Sequence, residues 1–325
     1  MAYDLEFEKP LAELEKKING LQRKGDRLKP DEHRQLQEAE HELRRRTEEI
    51  YKNLTAWQTV SVARHKDRPY LADYIQLMCN DFFELHGDRS FSDDHAIIAG
   101  LAQLEGDVVM LIGHQKGRDL KEKQFRNLGM PHPEGYRKAH RLMQQAEKFG
   151  FPVICLLDTS GASIALGDEE RGQSESIAAN LYLMSRLRVP IIAVVIGEGG
   201  SGGALAISIA DRILMLEHTI YSVASPEAAA SILWRDASFA QQAAEAMRIS
   251  AQDLKAINIV DELVPEPLGG AHHDHQTAAK NLKAVLLKQL ADLKQFSTED
   301  LLEKRYQKFR AIGKFGRIEA EISQV

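Results

Sequence analysis

The feature that most constrains this chain is an apolar run that ends in a cluster of glycines. Residues 191–196 are all apolar, and residues 197–203 read GEGGSGG. Because no polar residue alternates with the apolar ones, the run predicts a strand covered on both faces, as in a parallel sheet. The Ala/Leu/Ile-rich residues after the glycines predict a helix. Turns from strand to helix hold ligands in α/β proteins, so this segment is the first candidate site.

Glycines at such a turn bring the backbone itself within reach of a ligand. Without a Cβ atom, glycine adopts positive φ and lets another molecule approach closely. The first N–H groups of a helix have no partner inside the helix, and the helix dipole adds partial positive charge there. The segment therefore predicts a site where backbone amides bind an anion or stabilise a developing oxyanion. Five glycines in seven positions exceed what we expect tight packing alone to require.

Two nucleotide-binding motifs have glycines at the same spacing. Gly197 and Gly202 match the ends of a Walker loop, but Gly203 stands where that motif needs lysine, which excludes it. A dinucleotide fingerprint fits Gly197, Gly199 and Gly202, with Glu217 as the acid for the ribose. The predicted helix after Gly203 has only about two turns, which is short for a βαβ crossover. The oxyanion site is therefore preferred, and the dinucleotide site is the second interpretation.

Two further apolar runs are similar to the first. Residues 108–113 and 153–157 predict strands that end in glycine-bearing turns, and helical patterns cover 136–149 and 173–187. A repeat of roughly 40 residues indicates stacked β/α units whose turns lie along one edge. The sequence thus predicts an α/β fold in which the turn after residue 157 lies beside the glycine cluster.

A basic loop follows the first of these strands. It contains Lys116, Arg118 and Arg126, and Arg137 and Lys138 lie in the helix that comes next. Cationic side chains beside a strand end are able to hold phosphate through charge-assisted hydrogen bonds. We expect the loop to contact a phosphate-bearing ligand, and an ordinary solvated loop is an equally good interpretation.

Composition narrows the class of protein. The 325 residues are 43% hydrophobic and 28% charged, as in soluble globular proteins. A net charge of −6 argues against a nucleic-acid partner. The apolar runs are too short to span a membrane and the first residues do not resemble a signal peptide, so we expect a cytoplasmic protein. Cys79 and Cys155 are too far apart for a zinc motif, and Cys155 is expected in the core.

Helical segments flank the predicted sheet. Residues 1–60 predict a helical hairpin whose second helix is capped by Asp31, residues 61–296 the main domain, and residues 297–325 a C-terminal helix and tail. A helix is also predicted over 74–83, and those at 277–293 and 298–311 are expected to pack outside the core.

Three histidines lie between the main domain and the last helices. His272, His273 and His275 follow Gly269 and Gly270. The glycines indicate a mobile loop. We therefore expect no metal site on this chain, although His-rich tracts do bind metal in some proteins.

These features together resemble the carboxyltransferase alpha subunit of bacterial-type acetyl-coenzyme A carboxylase. The resemblance spans nearly the whole chain, from Phe7 to Gln307. The matching stretches are residues 63–65 with 68–69, 113–118, 129–138 except His132, 169–175, 197–206, 231–234 and 264–272.

The resemblance implies a crotonase-like fold, a superhelix of ββα units, in a heterotetramer of two alpha and two beta subunits with zinc on the beta subunit. It implies carboxyl transfer from carboxybiotin, held on a biotin carboxyl carrier protein, to acetyl-coenzyme A, which gives malonyl-coenzyme A. A biotin carboxylase charges the biotin with ATP. In the family, amides that correspond to Gly202 and Gly203 hold the biotin ureido oxygen, and biotin itself takes the acetyl proton, so no side-chain base is needed. The other residues expected at the substrate site are Gly161, Ala162, Gly199, Gly200 and the five cations of the basic loop.

The chain departs from the family at residues 160–165, where the usual pattern has two prolines and a tyrosine, and at residues 228–230. Their loss is expected to make the turn more adaptable and to weaken the choice of acetyl over propionyl or longer acyl groups. The alternative is that this turn contacts only the partner subunit. An interpretation of another class, a non-catalytic scaffold, predicts that the glycines are replaceable.

Overall fold

A computed structural model describes residues 3–313, so the predicted tail after residue 313 lies outside the described residues. Its centre is an eight-stranded sheet. The strands are β1 (Asp81–Glu84), β2 (Ile97–Leu104), β3 (Asp107–His114), β4 (Val153–Thr159), β5 (Ile191–Gly200), β6 (Arg212–Leu216), β7 (Ile220–Ser222) and β8 (Glu262–Val264).

The strand order is β1-β2-β3-β4-β5-β6-β8. Strands β1 to β3 form an antiparallel meander, and β3, β4, β5, β6 and β8 run parallel. Strand β7 pairs with the last residues of β5, after the part of β5 that pairs with β6. The three predicted apolar strands are thus confirmed as adjacent strands, and their C-terminal ends lie on one edge of the sheet.

The helices pack around this sheet. They are α1 (Lys9–Gln22), α2 (Pro30–Lys52), α3 (Ala56–Ala63), α4 (Leu71–Met78), α5 (Leu120–Phe125), α6 (Pro133–Phe149), α7 (Leu166–Glu170), α8 (Gln173–Arg186), α9 (Ser201–Leu205), α10 (Pro226–Trp234), α11 (Ala240–Met247), α12 (Ala251–Ala256), α13 (His275–Leu293) and α14 (Thr298–Arg310). Short 3-10 turns cover Glu6–Glu8, Gly25–Arg27, Asn127–Gly129 and Ala237–Phe239.

Both faces of the central strands are buried. On one face Ile192, Val194 and Ile196 pack with residues of α4 and α13, and on the other Ala193 and Val195 pack with residues of α6 and α8. Covering both faces explains why the sequence of β5 shows no polar alternation. Cys155 lies in the second cluster, as predicted for a small core residue.

The N-terminal hairpin is confirmed, with corrections at its boundaries. Helices α1 and α2 pack against each other after a break at Gly25–Arg27. Asp31 does not cap α2, because the helix begins at Pro30 and Asp31 lies in its first turn. The predicted helix over 74–83 ends at Met78, because Phe82 and Phe83 pair with β2 as part of β1. The division expected after residue 60 falls inside α3.

The C-terminal helices were wrongly expected outside the core. Leu282, Leu286 and Leu290 of α13 and Leu301 of α14 are buried in the same cluster as β5. Arg305 of α14 is also buried, and its guanidinium binds both carboxylate oxygens of Asp211 at 2.8 Å. These two helices therefore complete the cover of the sheet.

Candidate functional site: the glycine turn after β5

Two turns meet at the C-terminal edge of the sheet. Thr159, the last residue of β4, pairs with Gly199 of β5. Gly161 and Ala162 follow the first strand, and the short helix α9 follows the second. The predicted alignment of the two turns is thus confirmed. The Thr159 hydroxyl both donates to the Gly161 carbonyl, at 2.7 Å, and accepts from the Gly161 amide, at 3.1 Å, which closes the turn after β4 on itself.

Packing accounts for most of the glycines, contrary to the expectation from their number. A Cβ on Gly197 would lie 2.4 Å from Asp158 Oδ1, and one on Gly199 would lie 2.8 Å from the Tyr221 ring. A Cβ on Gly200 would lie 2.2 Å from the Ser160 carbonyl oxygen. These approaches are too short for any side chain. Gly197, Gly199 and Gly200 therefore let neighbouring segments close on β5.

The last two glycines, at the start of α9, differ from each other. A Cβ on Gly203 would lie 2.4 Å from the carbonyl carbon of Gly161, whereas one on Gly202 would meet only Ile177 Cδ1, at 3.6 Å. That distance is an ordinary van der Waals contact. Packing within this chain therefore does not explain why position 202 is a glycine. The N–H groups in the first turn of a helix have no partner within the helix, so the amides of Gly202 and Gly203 point toward the N-terminal end of α9 without an intrahelical bond.

The turn into α9 is sharp and is fixed from behind. Ser201 has φ of 51°, in the left-handed region that a non-glycine residue rarely adopts. The buried Tyr136 hydroxyl donates to the Gly203 carbonyl at 3.3 Å. His114 lies close by and accepts from the Asp158 amide at 3.4 Å. Burial lowers the pKa of His114 to about 3, so this imidazole is neutral at physiological pH.

A buried ionic network lies beneath the turn. The Lys116 ammonium is 2.8 Å from Asp158 Oδ1 and 3.4 Å from Glu198 Oε1. Arg64 binds the other oxygen of Glu198 at 2.6 Å and Glu227 at 2.6 Å. Burial alone would raise the pKa of Glu198, but Lys116 and Arg64 outweigh burial and lower it. The same carboxylates raise the pKa of Lys116, which burial alone would lower. The network joins β3, β4 and β5 to α3 and α10.

The sequence did not predict this network. Asp158 accepts from the Glu198 amide at 3.0 Å and pairs with Lys116 at 2.8 Å. Glu198 and Arg64 were part of matching stretches without an assigned role. Arg64 and Glu198 are 134 residues apart, so no local spacing in the sequence indicates that they pair.

The predicted basic loop does not form one cluster of free cations. Arg118 binds Asp73 and its guanidinium lies 4.5 Å from the centre of the Tyr70 ring. Arg126 donates to the His95 carbonyl at 3.0 Å. Both residues lie on the outer side of the loop. Lys116 instead belongs to the ionic network described above.

The remaining two predicted cations lie on α6. Arg137 donates to the Arg171 carbonyl and its side chain is about a third exposed. Lys138 is fully buried, 2.6 Å from Asp93 Oδ1 and 2.7 Å from the Asp94 carbonyl. Lys138 was therefore wrongly assigned to a substrate, because its ammonium stabilises the interior of the chain.

The turn at residues 160–165 is not loose. Ser163 is buried, its amide donates to the Pro131 carbonyl at 3.0 Å, and its hydroxyl donates to Asp168. Asp168 also binds Arg171 at 2.8 Å. The expected adaptability is thus not found at Ser163. By contrast, Ile164 is 96% exposed, an unusual position for a large apolar side chain.

An apolar groove of about 700 Å³ begins at the glycine turn. Ser201 and Gly202 lie at one end of it. Its apolar lining includes Leu205, Ile209, Tyr221, Met247, Ile257 and Phe309. Hydrogen bonds gain strength in surroundings of low polarity, so a ligand held at this end would be bound more firmly than in water.

The histidine segment after β8 is tied down, contrary to the expectation of a mobile loop. The Gly270 amide donates to the Pro267 carbonyl at 2.8 Å, and the Ala271 amide donates to Glu266 at 2.7 Å. Glu266 in turn forms a bidentate, buried pair with Arg68 at 2.7 and 2.8 Å. His275 points away from the other two histidines and bonds to the Asp67 carbonyl at 2.6 Å.

The predicted dinucleotide site is not found. Gly197 and Gly199 lie within β5 and not in the turn after it. Helix α9 has five residues and leads directly to β6. The Glu217 carboxylate accepts from the Glu266 amide at 2.9 Å and is thus occupied by the chain itself. The strands and turns instead form the crotonase-like fold that the sequence predicts.

Solved structures share this fold. The chain is similar to a chain of a Pseudomonas malonate decarboxylase hetero-tetramer in complex with coenzyme A, with a TM-score of 0.55 and 17% identity over 65% of this chain and 84% of that one. It is also similar to transcarboxylase 12S, with a TM-score of 0.53 and 18% identity over 67% of this chain and 41% of that one. At such identities the likeness shows the fold alone.

The sequence comparisons show the family. Residues 4–313 match the family model described as acetyl co-enzyme A carboxylase carboxyltransferase-like, and the chain belongs to this family. It is 55% identical to the acetyl-coenzyme A carboxylase carboxyl transferase subunit alpha of Geobacter metallireducens, over 96% of this chain and 98% of that protein. It is 52% identical to the subunit of the same name from Halalkalibacterium halodurans, over 99% of each. Within residues 3–313, no helix combines the length and the apolar character that crossing a bilayer requires.

Proposed function

We propose that this chain is the carboxyltransferase alpha subunit of an acetyl-coenzyme A carboxylase. Beside a beta subunit, it transfers the carboxyl group of carboxybiotin, on a biotin carboxyl carrier protein, to acetyl-coenzyme A, which gives malonyl-coenzyme A. Family membership and similarity over nearly the full length of subunits with that name support the proposal. The α2β2 assembly, a zinc-bearing beta subunit, an ATP-using biotin carboxylase and a cytoplasmic location belong to the same proposal.

The observation that carries the mechanism is Gly202. Its neighbours Gly200 and Gly203 are needed for packing, whereas a side chain on Gly202 has room beside Ile177. The backbone at Gly202 is thus open where the first-turn amides of α9 lie. We assign these amides, from Gly202 and Gly203, to the ureido oxygen of biotin. The two turns approach each other closely at Gly161, Ala162, Gly199 and Gly200. We assign these four residues to the shape of this end of the site.

The chain contributes binding and orientation to the reaction. Biotin, when bound, supplies the carboxyl group and then a basic nitrogen that takes a proton from the acetyl group. The amides stabilise the negative charge that grows on the ureido oxygen, and each well-placed donor contributes roughly 3 kcal/mol. The Tyr136 hydroxyl bonds to the Gly203 carbonyl, in the peptide that follows the Gly203 amide, and so holds the first turn of α9 from behind. No side-chain base is assigned, and His114, the nearest buried imidazole, is held neutral by burial.

Three of the predicted cations have a second role in the proposal. Arg118 is exposed and Arg126 and Arg137 are half-buried, and all three are assigned to the phosphates of coenzyme A or to the carrier protein. Lys116 is assigned to the site through Glu198, because its ammonium is held by the ionic network. Acetyl is the proposed acyl group, with propionyl as the alternative that the altered turn at residues 160–165 raises.

Two substitutions at Gly202 test the mechanism. Gly202→Pro deletes the amide donor at a helix position whose N–H has no intrahelical partner, while Gly202→Ala keeps the donor and adds only a Cβ that has room. With the beta subunit, we expect the proline variant to lose about 10²–10³ in kcat and the alanine variant to stay within about tenfold of wild type. Malonyl-coenzyme A formation from carboxybiotin measures both.

Complex formation is the control for these variants. Each must copurify with the beta subunit and show the wild-type circular dichroism spectrum, so that a loss of turnover does not reflect misfolding. A proline variant that assembles and turns over as fast as the alanine variant contradicts the assignment and favours a scaffold. Carboxyl transfer by the purified chain without a beta subunit contradicts the division of the site between two subunits.

A further inference from the structure

A group of potential metal ligands lies where the N-terminal hairpin meets the core. It consists of Glu8, at the start of α1, and of His272 and His273, in the segment between β8 and α13. One ligand atom from each of the three side chains can be chosen so that all lie within 4.8 Å of one another. His273 Nε2 is 3.9 Å from Glu8 Oε1. The group is remote in sequence from the glycine turn and from its ionic network.

The two imidazoles lack the partners that buried polar groups normally have. Among the described residues, no hydrogen-bond partner is found for either ring nitrogen of His272 or for Nε2 of His273, and all three atoms are shielded from solvent. A neutral imidazole has one donor and one acceptor nitrogen, and a buried one ordinarily satisfies both. The neighbouring His65 differs, because its Nε2 bonds to Asp4 at 2.6 Å. Three shielded nitrogens without partners therefore point to a missing ligand.

The backbone holds both rings in place. Gly269 and Gly270 have φ of 86° and 97°, in the left-handed region. A Cβ on Gly269 would lie 2.8 Å from the His273 ring, and one on Gly270 would lie 2.9 Å from the His272 ring. The two glycines thus provide both the turn and the space that the rings occupy. His272 also stacks on His65, with ring centres 4.0 Å apart.

Glu8 is oriented as a ligand carboxylate would be. It is fully buried, the Tyr51 hydroxyl donates to its Oε1, and the Leu5 amide donates to its Oε2 at 3.0 Å. In metal sites, hydrogen bonds from surrounding groups hold the ligating carboxylates in place.

We propose that Glu8, His272 and His273 form a binding site for a divalent transition-metal ion of the Zn²⁺ class. Two imidazoles and one carboxylate suit such borderline ions, whereas Mg²⁺ and Ca²⁺ select oxygen ligands. Donors at about 2.0–2.2 Å from a tetrahedral ion lie about 3.4 Å apart. The observed separations are 3.9 Å for one pair and at most 4.8 Å for the others, so side-chain rotations must bring the ligand atoms closer together by up to about 1.4 Å. A water molecule fills the fourth position.

The role of the ion is to tie the hairpin to the core. Glu8 belongs to the N-terminal helices, and both histidines belong to the segment that leads into α13. An ion that binds only the folded arrangement stabilises it, because its binding free energy adds to that of folding. The proposed carboxyl transfer does not involve this ion.

Titration of the untagged, full-length chain tests the site. After dialysis against a chelator, Zn²⁺ is added and followed by calorimetry, and Co²⁺ is followed by its ligand-field absorption. We expect one ion per chain, a Co²⁺ spectrum of mixed nitrogen and oxygen ligation, and a rise in the thermal unfolding midpoint with Zn²⁺. His272→Asn and His273→Asn should each weaken binding at least tenfold and abolish the rise in the midpoint. Tyr51→Phe, which removes only the hydroxyl that donates to Glu8, should weaken binding about tenfold.

His275→Asn is the matched control. It removes a histidine from the same segment whose ring bonds to the Asp67 carbonyl, so Zn²⁺ affinity should stay within about twofold of wild type. Metal-free spectra of all variants show that each is folded. Absence of a one-to-one complex in the wild type overturns the proposal. Equal Zn²⁺ affinity of wild type, His273→Asn and Tyr51→Phe also overturns it, because the ion would then be bound elsewhere.

Discussion

At the scale of the residue, Glu198 shows how one carboxylate positions the glycine turn. It stands between Gly197 and Gly199 in β5 and binds two cations that come from other elements, Lys116 and Arg64. Pairing of both its oxygens offsets the cost of burying the charge. Because its amide also bonds to Asp158, the side chain and backbone of Glu198 are fixed together. The glycine turn therefore follows a residue, Glu198, whose position is fixed.

The lowered pKa of Glu198 makes this contribution depend on pH. The folded pKa lies below the unfolded one, so the stabilisation is complete above the ordinary glutamate pKa and is lost as the pH falls through the folded value. We expect Glu198→Gln to cost about 1–3 kcal/mol in the free energy of unfolding near pH 7, with a smaller difference from wild type near pH 4. Urea unfolding of both proteins across this range measures it. A difference that does not change with pH would contradict the assignment of an ionised Glu198.

At the scale of the element, the turn after β4 is held by a hydrogen bond on one side and is exposed to solvent on the other. Ser163 is fastened to Asp168, while Ile164 and Leu166 are 96% and 73% exposed. Neighbouring exposed apolar side chains on a rigid turn are typical of a protein interface. This favours the second of the two interpretations from the sequence, in which the turn contacts the partner subunit and does not shape the acyl pocket.

Ile164→Asp separates these two interpretations. If the turn contacts the beta subunit, a charge there weakens association at least tenfold and leaves the preference between acetyl- and propionyl-coenzyme A unchanged in the complex that remains. Sedimentation of the mixed subunits and competition between the two thioesters are the measurements. If association is unchanged and the acyl preference is altered, the turn shapes the substrate pocket and does not contact the partner subunit.

At the scale of the whole molecule, the sequence predicted what depends on local pattern. Apolar runs without alternation gave adjacent parallel strands, and the similarity of two turns placed them on one edge. The network of Arg64 and Glu198 and the burial of Arg305 were missed, because such pairs join distant residues and leave no periodicity. The glycines were located correctly, but the packing role of Gly197 and Gly200 was missed, since the segments that close on them become visible only in three dimensions.

The buried pair of Arg305 and Asp211 holds the last described helix to the sheet. Arg305→Met would leave the Asp211 carboxylate buried without its cation, and we expect a loss of about 3–5 kcal/mol in the free energy of unfolding. Arg188→Met, which breaks an exposed pair of 3.5 Å with Glu299 of the same helix, should cost less than about 1 kcal/mol. Equilibrium unfolding in urea compares the two. Equal losses would show that burial does not set the strength of this contact.

The contact between Arg305 and Asp211 forms late during synthesis of the chain. Asp211 Oδ2 accepts from the amide of Ile191, where β5 begins, as well as from Arg305. The carboxylate that bonds to the start of the strand leading to the glycine turn thus gains its cation only when the last described helix arrives. A nascent chain on the ribosome has already released β5 long before residue 305 emerges. We therefore expect the turn to mature after translation nears its end, so that truncated chains do not offer a finished turn to a partner subunit.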